Sequence, residues 1–230
     1  VEVFEEKIRQ LEGGEAATSF STGMAAISNT LFTLLKPGDR CVSVHDTYGG
    51  TNKIFIEFFP KFGIDVSLCD TTDFDRIEAE IAAGCQLLYM ESPTNPTCKI
   101  MDIERLAKKA HEAGAIVVVD NTFATPINQN PLELGADLVI HSATKYLGGH
   151  ADALGGAVVG AADFRRRVPV HPGRLPAAPL VSDQRRAGRG GPVSRRGFLI
   201  PPPRLRALQH TAESFAHERL SSDKLLHLLR

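Results

Sequence analysis

Residues 116–122 read Ile116-Val117-Val118-Val119-Asp120-Asn121-Thr122. An unbroken run of β-branched side chains is the pattern of a central parallel strand covered on both faces, and here a carboxylate follows it directly. Upstream, Asp102 fits as the N-cap of a helix from Ile103 to Ala113. Its apolar Ile103, Leu106, Ala107 and Ala110 follow the three-four spacing, and Gly114 closes it. Working outward, buried strands are predicted at Cys41 to Val44, Val66 to Leu68, Leu87 to Met90, Leu138 to Ile140 and Ala157 to Val159. Helices are predicted from Ser21-Thr22-Gly23 through Met24, Ile27 and Leu31, around Ile54, Phe55 and Phe58, and from Phe74 to Ala82. A first helical stripe of Phe4, Ile8 and Leu11 ends at Gly13-Gly14. Alternating helix and strand periods joined by short turns indicate parallel βαβ units. The expected class is therefore α/β, with a mostly parallel sheet sandwiched by helices.

A chain of 230 residues, 43% hydrophobic, has enough material for a sizeable core. No stretch of about 18 uncharged apolar residues occurs, and the start, Val1-Glu2-Val3-Phe4-Glu5-Glu6, has neither part of a signal peptide. The expectation is a cytoplasmic protein that binds no membrane. Cys41, Cys69, Cys85 and Cys98 are widely separated without a CxxC pair, which fits free thiols better than zinc or disulfides.

The net charge of -1 hides an asymmetry, because residues 165–230 carry 14 Lys and Arg against 4 Asp and Glu. Periodicity stops near Phe164, where Arg165-Arg166-Arg167 and later Pro201-Pro202-Pro203 begin a basic, Pro/Arg-rich tail. The division expected is 1–164 as a partial α/β domain and 165–230 as a segment without a core of its own. Three readings compete for that segment: a nucleic-acid tail, a diverged small domain, and the product of truncation or a frame shift in GC-rich coding sequence. Arg without interleaved aromatics or a binding fold argues against nucleic acid, and missing apolar periodicity argues against a folded domain. The third reading is favoured.

In open α/β sheets ligands gather outside the carboxyl ends of the strands. Three such ends carry polar groups: Asp120, Glu91-Ser92-Pro93, and His141-Ser142-Ala143-Thr144-Lys145. A carboxylate, hydroxyls and one lysine at a common rim match what pyridoxal 5'-phosphate (PLP) requires: an amine for an imine, an anion for the pyridinium nitrogen and donors for the phosphate. Taken singly, each residue is more ordinarily a turn, a cap or a solvated charge.

Taken together they resemble a family. The run Ser142-Ala143-Thr144-Lys145-Tyr146-Leu147-Gly148-Gly149-His150, preceded by Val118-Val119-Asp120-Asn121-Thr122, is similar to the PLP signature of the cystathionine γ-synthase, cystathionine γ-lyase and methionine γ-lyase family. Leu11-Glu12-Gly13-Gly14, Ser21-Thr22-Gly23-Met24, Thr47-Tyr48-Gly49-Gly50-Thr51 and Glu91-Ser92-Pro93-Thr94-Asn95-Pro96 match in the same order over about residues 1–160. The resemblance implies the large domain of a fold-type I PLP enzyme, aspartate-aminotransferase-like and incomplete here.

It also implies roles. Lys145 would carry the cofactor as a Schiff base and then move the substrate's Cα proton, and Asp120 would hold the pyridine nitrogen protonated. Gly23 and Met24 would present backbone N–H groups at a helix start to the phosphate, joined by the hydroxyls of Ser142 and Thr144. Tyr48 would stack on the ring and serve the leaving group as acid or base, while Asn95 would bond the 3-hydroxyl. His141, His150 and Asp152 are assigned no catalytic role.

The implied reaction is γ-elimination or γ-replacement on sulfur amino acids or homoserine esters. Gly50 stands where methionine γ-lyases usually show a cysteine, which tilts the reading toward a cystathionine γ-synthase or γ-lyase. Methionine γ-lyase and O-acylhomoserine sulfhydrylase are the alternatives within the family. The full-length family is expected to form a homotetramer built from dimers. A different class stays open: a truncated, catalytically weak or dead PLP-binding remnant. A dinucleotide-dependent oxidoreductase is disfavoured, since no GxGxxG follows a first strand.

Overall fold

Residues 2–162 are described by the computed structural model. Helix α1 (Glu2–Glu12) leads into β1 (Ala16–Phe20), α2 (Gly23–Leu34) and β2 (Arg40–Val44). Then come α3 (Gly49–Lys53), which runs on as a π-helical turn over Ile54–Phe58, β3 (Asp65–Cys69), α4 (Phe74–Ala82) and β4 (Leu87–Glu91). The remainder is α5 (Ile103–Glu112), β5 (Ile116–Asp120), α6 (Thr125–Asn128), β6 (Leu138–Ser142) and β7 (Gly156–Gly160). The basic segment 165–230 lies outside the described residues. Among the described residues no helix is long and apolar enough to cross a membrane.

All seven strands join one sheet in the order β1-β7-β6-β5-β4-β2-β3. Strands β3, β2, β4, β5 and β6 are mutually parallel. At the β6 edge the pattern changes, because β7 runs antiparallel to both β6 and β1. The expected parallel units are thus correct for the centre, and the far edge is mixed. Strand β1, Ala16-Ala17-Thr18-Ser19-Phe20, was not expected at all. Its small and polar residues carry no apolar alternation, and only its pairing with β7 makes it a strand.

Side-chain alternation divides the core into two layers. Val117, Val119, Val139, Leu88 and Met90 face α4 and α5, where Ile77, Ile81, Ile103 and Leu106 are buried. Ile116, Val118, Leu138, Ile140 and Tyr89 face the other way, against Ala26, Ile27 and Leu31 of α2 and against Ile54, Phe55 and Phe59. Asp102 caps α5 as expected, its carboxylate accepting from Arg105 N at 3.0 Å. Asp73 does the same for α4, accepting from Arg76 N at 3.0 Å.

Helix α1 departs from its expected stripe. Ile8 is buried, but Leu11 is 47% exposed, and Glu5 and Glu12 occupy the inner face instead. Polar partners set this rotation: Glu5 accepts from Ser19 N at 2.9 Å and Ser19 Oγ at 2.8 Å, and Glu12 enters a buried network under β6. The four cysteines are free thiols, with Cys98 exposed and the other three buried.

Strand order places the site. Successive strands run outward from β2 to β3 and then, after the return, from β4 to β5 to β6. The reversal falls between β2 and β4, so a crevice is expected outside their carboxyl ends.

Candidate active site

Five segments reach that rim: the loop after β2 with Tyr48, the ends of β4 with Glu91, β5 with Asp120 and β6 with Ser142, and the start of α2. In parallel register Glu91 pairs with Asp120, so these two carboxylates are neighbours on one face of the sheet. It is the face covered by α2 and Phe55.

Asp120 is 5% exposed. Its Oδ1 accepts from Thr122 N at 3.0 Å and its Oδ2 from the Tyr89 hydroxyl at 3.3 Å. Thr122 Oγ1 in turn accepts from Ser142 N at 2.8 Å, which ties the end of β5 to the lysine loop. Burial raises the Asp120 carboxyl above the ordinary carboxylate range, against the pull of the Thr122 hydrogen bonds. A cationic ring N–H offered to this carboxylate would replace the hydration that burial removes.

Helix α2 begins directly against Ser142. Thr22 caps it by accepting from Ala25 N at 3.0 Å, and the N–H groups of Gly23 and Met24 belong to the first turn, outside the helix's own ladder. A side-chain carbon at Gly23 would lie 2.5 Å from Ser142 Cβ and 2.7 Å from its Oγ. Only glycine allows this approach. It brings two backbone donors, a helix N-terminus and the Ser142 hydroxyl together, a donor set suited to a phosphate.

Lys145 is exposed at the tip of a turn in which its N donates to Ser142 O at 3.1 Å. Its ammonium takes no hydrogen bond or ion pair among the described residues. Thr144 is placed differently from a residue turned only to a ligand. Its Oγ1 accepts from Gly155 N at 3.1 Å and donates to Gly155 O at 3.3 Å, so the hydroxyl is engaged with the β7 approach.

Tyr48 is 44% exposed. Its ring edge and the Met24 sulfur converge over Gly50, lying 2.9 and 2.7 Å from the point where a Gly50 side chain would begin. The Tyr48 N donates to Glu91 Oε2 at 2.7 Å, and the N of the exposed Asn95 donates to Glu91 Oε1 at 3.1 Å. Thus Gly23, Asp120 and Ser142 are linked on one side, and Tyr48, Met24 and Asn95 on the other. The Glu91–Asp120 pair joins the two halves.

Glu91 carries no role in the sequence reading. Its signal was available: an acid closing an otherwise apolar strand, on the same face as Asp120. Burial and the Asp120 carboxylate push it up to about 8, despite the two N–H donors it accepts. Glu12 was likewise passed over inside Leu11-Glu12-Gly13-Gly14. Its Oε1 accepts from Asn121 Nδ2 at 2.8 Å and lies 2.5 Å from His141 Nε2, both side chains of that pair being fully buried. The network lies on the opposite face of the sheet from Asp120.

Residues 1–176 match the sequence profile of the Cys/Met metabolism PLP-dependent enzymes. The chain belongs to this family. Over 158 residues it is 47% identical to an L-methionine gamma-lyase of Fusobacterium nucleatum subsp. polymorphum, covering 68% of this chain and 40% of that protein. Over 152 residues it is 46% identical to the cystathionine gamma-lyase of Bacillus subtilis (strain 168), covering 66% and 40%. The crystal structure of metB from Corynebacterium glutamicum is similar at a TM-score of 0.66 and 43% identity, over 68% of this chain and 41% of that one. The chain therefore spans about two fifths of the length of these Cys/Met metabolism PLP-dependent enzymes. Relatives with different activities are almost equally similar, so identity alone does not select a reaction.

Proposed function

We propose that this chain binds pyridoxal 5'-phosphate through Lys145 and belongs to an enzyme of γ-elimination or γ-replacement on sulfur amino acids or homoserine esters, of the cystathionine γ-synthase or γ-lyase type. The observation that carries the reading is the junction of the Gly23 helix start with Ser142, linked through Thr122 to the buried Asp120, with the Lys145 amine exposed on the same loop. Bound PLP supplies an electron sink for the carbanion formed at the substrate's Cα.

The chain's own residues account for the rest. Asp120, held by Thr122 and Tyr89, keeps its carboxylate aimed where a ring nitrogen needs a counter-charge. The N–H groups of Gly23 and Met24 and the Ser142 hydroxyl hold the phosphate. Thr144 accepts from Gly155 N at 3.1 Å, and its hydroxyl proton, which rests on the long 3.3 Å contact with Gly155 O, would be the donor it offers to the phosphate. Lys145 would hold the cofactor through its amine and, on the same exposed loop, would take the substrate's Cα proton and return it as general base and acid. Tyr48 covers the ring and serves the leaving γ-substituent, and Asn95 donates to the 3-hydroxyl. Small amino-acid substrates, a cytoplasmic setting and assembly as a homotetramer of dimers complete the proposal.

The test is to incubate the PLP-loaded chain with cystathionine, with an O-acylhomoserine plus cysteine, and with methionine, and to measure the products. Release of a four-carbon keto acid and ammonia, or formation of a new thioether, supports γ-chemistry. Pyruvate from cystathionine would replace the γ reading by β-elimination, and cofactor binding without any turnover would favour the remnant.

A further inference from the structure

Among the polar groups at the rim, one buried side chain touches two loops at once. Glu91 is the last residue of β4, beside the strand reversal, and is 5% exposed. Each of its carboxylate oxygens has its own backbone donor: Tyr48 N on Oε2 at 2.7 Å and Asn95 N on Oε1 at 3.1 Å. Tyr48 opens α3, and Asn95 belongs to the turn that follows β4. Neither loop reaches the other by a backbone hydrogen bond among the described residues.

We propose that Glu91 is a positioning residue for the cofactor, a single carboxylate that fixes the Tyr48 and Asn95 loops relative to each other and to Asp120. The inference rests on the PLP reading for its purpose, though not for its geometry. Each oxygen of a carboxyl group, ionised or protonated, keeps a lone pair for an N–H donor, so this one buried side chain accepts at both ends, where an amide has a single accepting oxygen. An amide keeps one acceptor and turns a donor toward the other N–H, so Glu91→Gln must release one loop. Among the described residues, a further tie between these loops is the Lys99 Nζ–Asp46 pair at 2.8 Å, which is partly exposed and so screened. With Glu91 replaced, the ring-covering tyrosine and the 3-hydroxyl donor are no longer set by a common anchor.

Two measurements on the full chain test this. The first is amide hydrogen exchange without PLP. Glu91→Gln is expected to lose protection at Tyr48 or Asn95 while segments 116–120 and 138–142 keep theirs. Unchanged protection at both amides would overturn the proposal, and in the unsubstituted chain both amides must be slow for it to stand, whether or not the variant folds. The second uses PLP once borohydride labelling has shown Lys145 to be modified in the unsubstituted chain. Glu91→Gln is then expected to label the same lysine, to bind PLP about tenfold more weakly, and to lose much of the visible circular dichroism that a fixed, stacked ring produces. A variant with unaltered dichroism and affinity would refute the positioning role while leaving the PLP reading intact. Absence of labelling at Lys145 in the unsubstituted chain would instead refute the PLP reading, and exchange alone would then judge the anchor.

Discussion

Replacing Gly23 by alanine puts two ordinary expectations in conflict. By helix propensity the change is favourable, since glycine inside a helix costs up to about 1 kcal/mol relative to alanine. Gly23 is also not in the left-handed region, so its backbone accepts a side chain. Packing gives the opposite sign. The new carbon would lie 2.5 Å from Ser142 Cβ, 2.7 Å from its Oγ and 2.9 Å from its Cα. Carbon atoms rest near 3.5–4.0 Å, so helix α2 and the lysine loop must separate by roughly 1 Å. Backbone is among the atoms met, and no rotamer change removes the clash. Overpacking of this kind costs about 1–3 kcal/mol, and the propensity gain is reduced because residue 23 opens the helix. The separation also opens the proposed phosphate site, so on that reading PLP affinity should fall at least about tenfold, or ~1.4 kcal/mol. Urea unfolding measures the first quantity and PLP titration the second. For the stability measurement alone Gly50→Ala is the matched comparison, since its new carbon meets side-chain atoms, Met24 Sδ at 2.7 Å and the Tyr48 ring at 2.9 Å, and no backbone. A Gly23→Ala chain as stable as the original, with unaltered PLP affinity, would refute the reasoning.

Further outcomes follow from the buried carboxyls. Glu91 is raised to about 8 in the folded chain from an ordinary value of 4.5, so between these values the folded state holds a proton that the unfolded state has released. Stability of the PLP-free chain should therefore decline as pH rises through that window, by on the order of a few kcal/mol, and Glu91→Gln should flatten the decline in denaturant midpoints. Asp120 acts in the same direction, so some slope should persist in that variant. Glu12→Ala leaves His141 Nε2 without its buried partner and Asn121 Nδ2 with Gln129 O alone, and should cost about 1–3 kcal/mol in urea unfolding. Asp120→Asn should retain PLP but lose exchange of the substrate's Cα hydrogen, followed by NMR in deuterated water, because an amide does not stabilise a protonated ring nitrogen.

The central strands were legible because burial on both faces leaves an uninterrupted β-branched run, as at Val117-Val118-Val119, and because Asp102 and Gly114 mark both ends of α5. Strand β1 was not, since Ala16 to Phe20 has no periodicity of its own and becomes a strand only by pairing with β7, distant in sequence. The same holds for the sense of β7, which depends on which neighbours it meets. At the site, Asp120, Ser142 and Lys145 were readable as polar residues at strand ends. Their coupling through Thr122 was not, because a threonine hydroxyl bridging two strands leaves no trace in spacing. Glu91 and Glu12 were hidden for a related reason. Each is an acid whose donors come from loops or strands far along the chain, and a sequence pattern reports neighbours in order, not in space. Leu11 shows the reverse error: an apolar residue at helical spacing that lies outside because Glu5 and Glu12 claim the inner face.

The most direct test of the central claim is borohydride reduction of the purified chain equilibrated with PLP, followed by peptide mapping of the modified lysine. The account predicts one stable pyridoxyl adduct, on Lys145, with loss of the visible absorbance band on reduction. Labelling chiefly at Lys53 or Lys99, or spread evenly over the surface lysines, would contradict it.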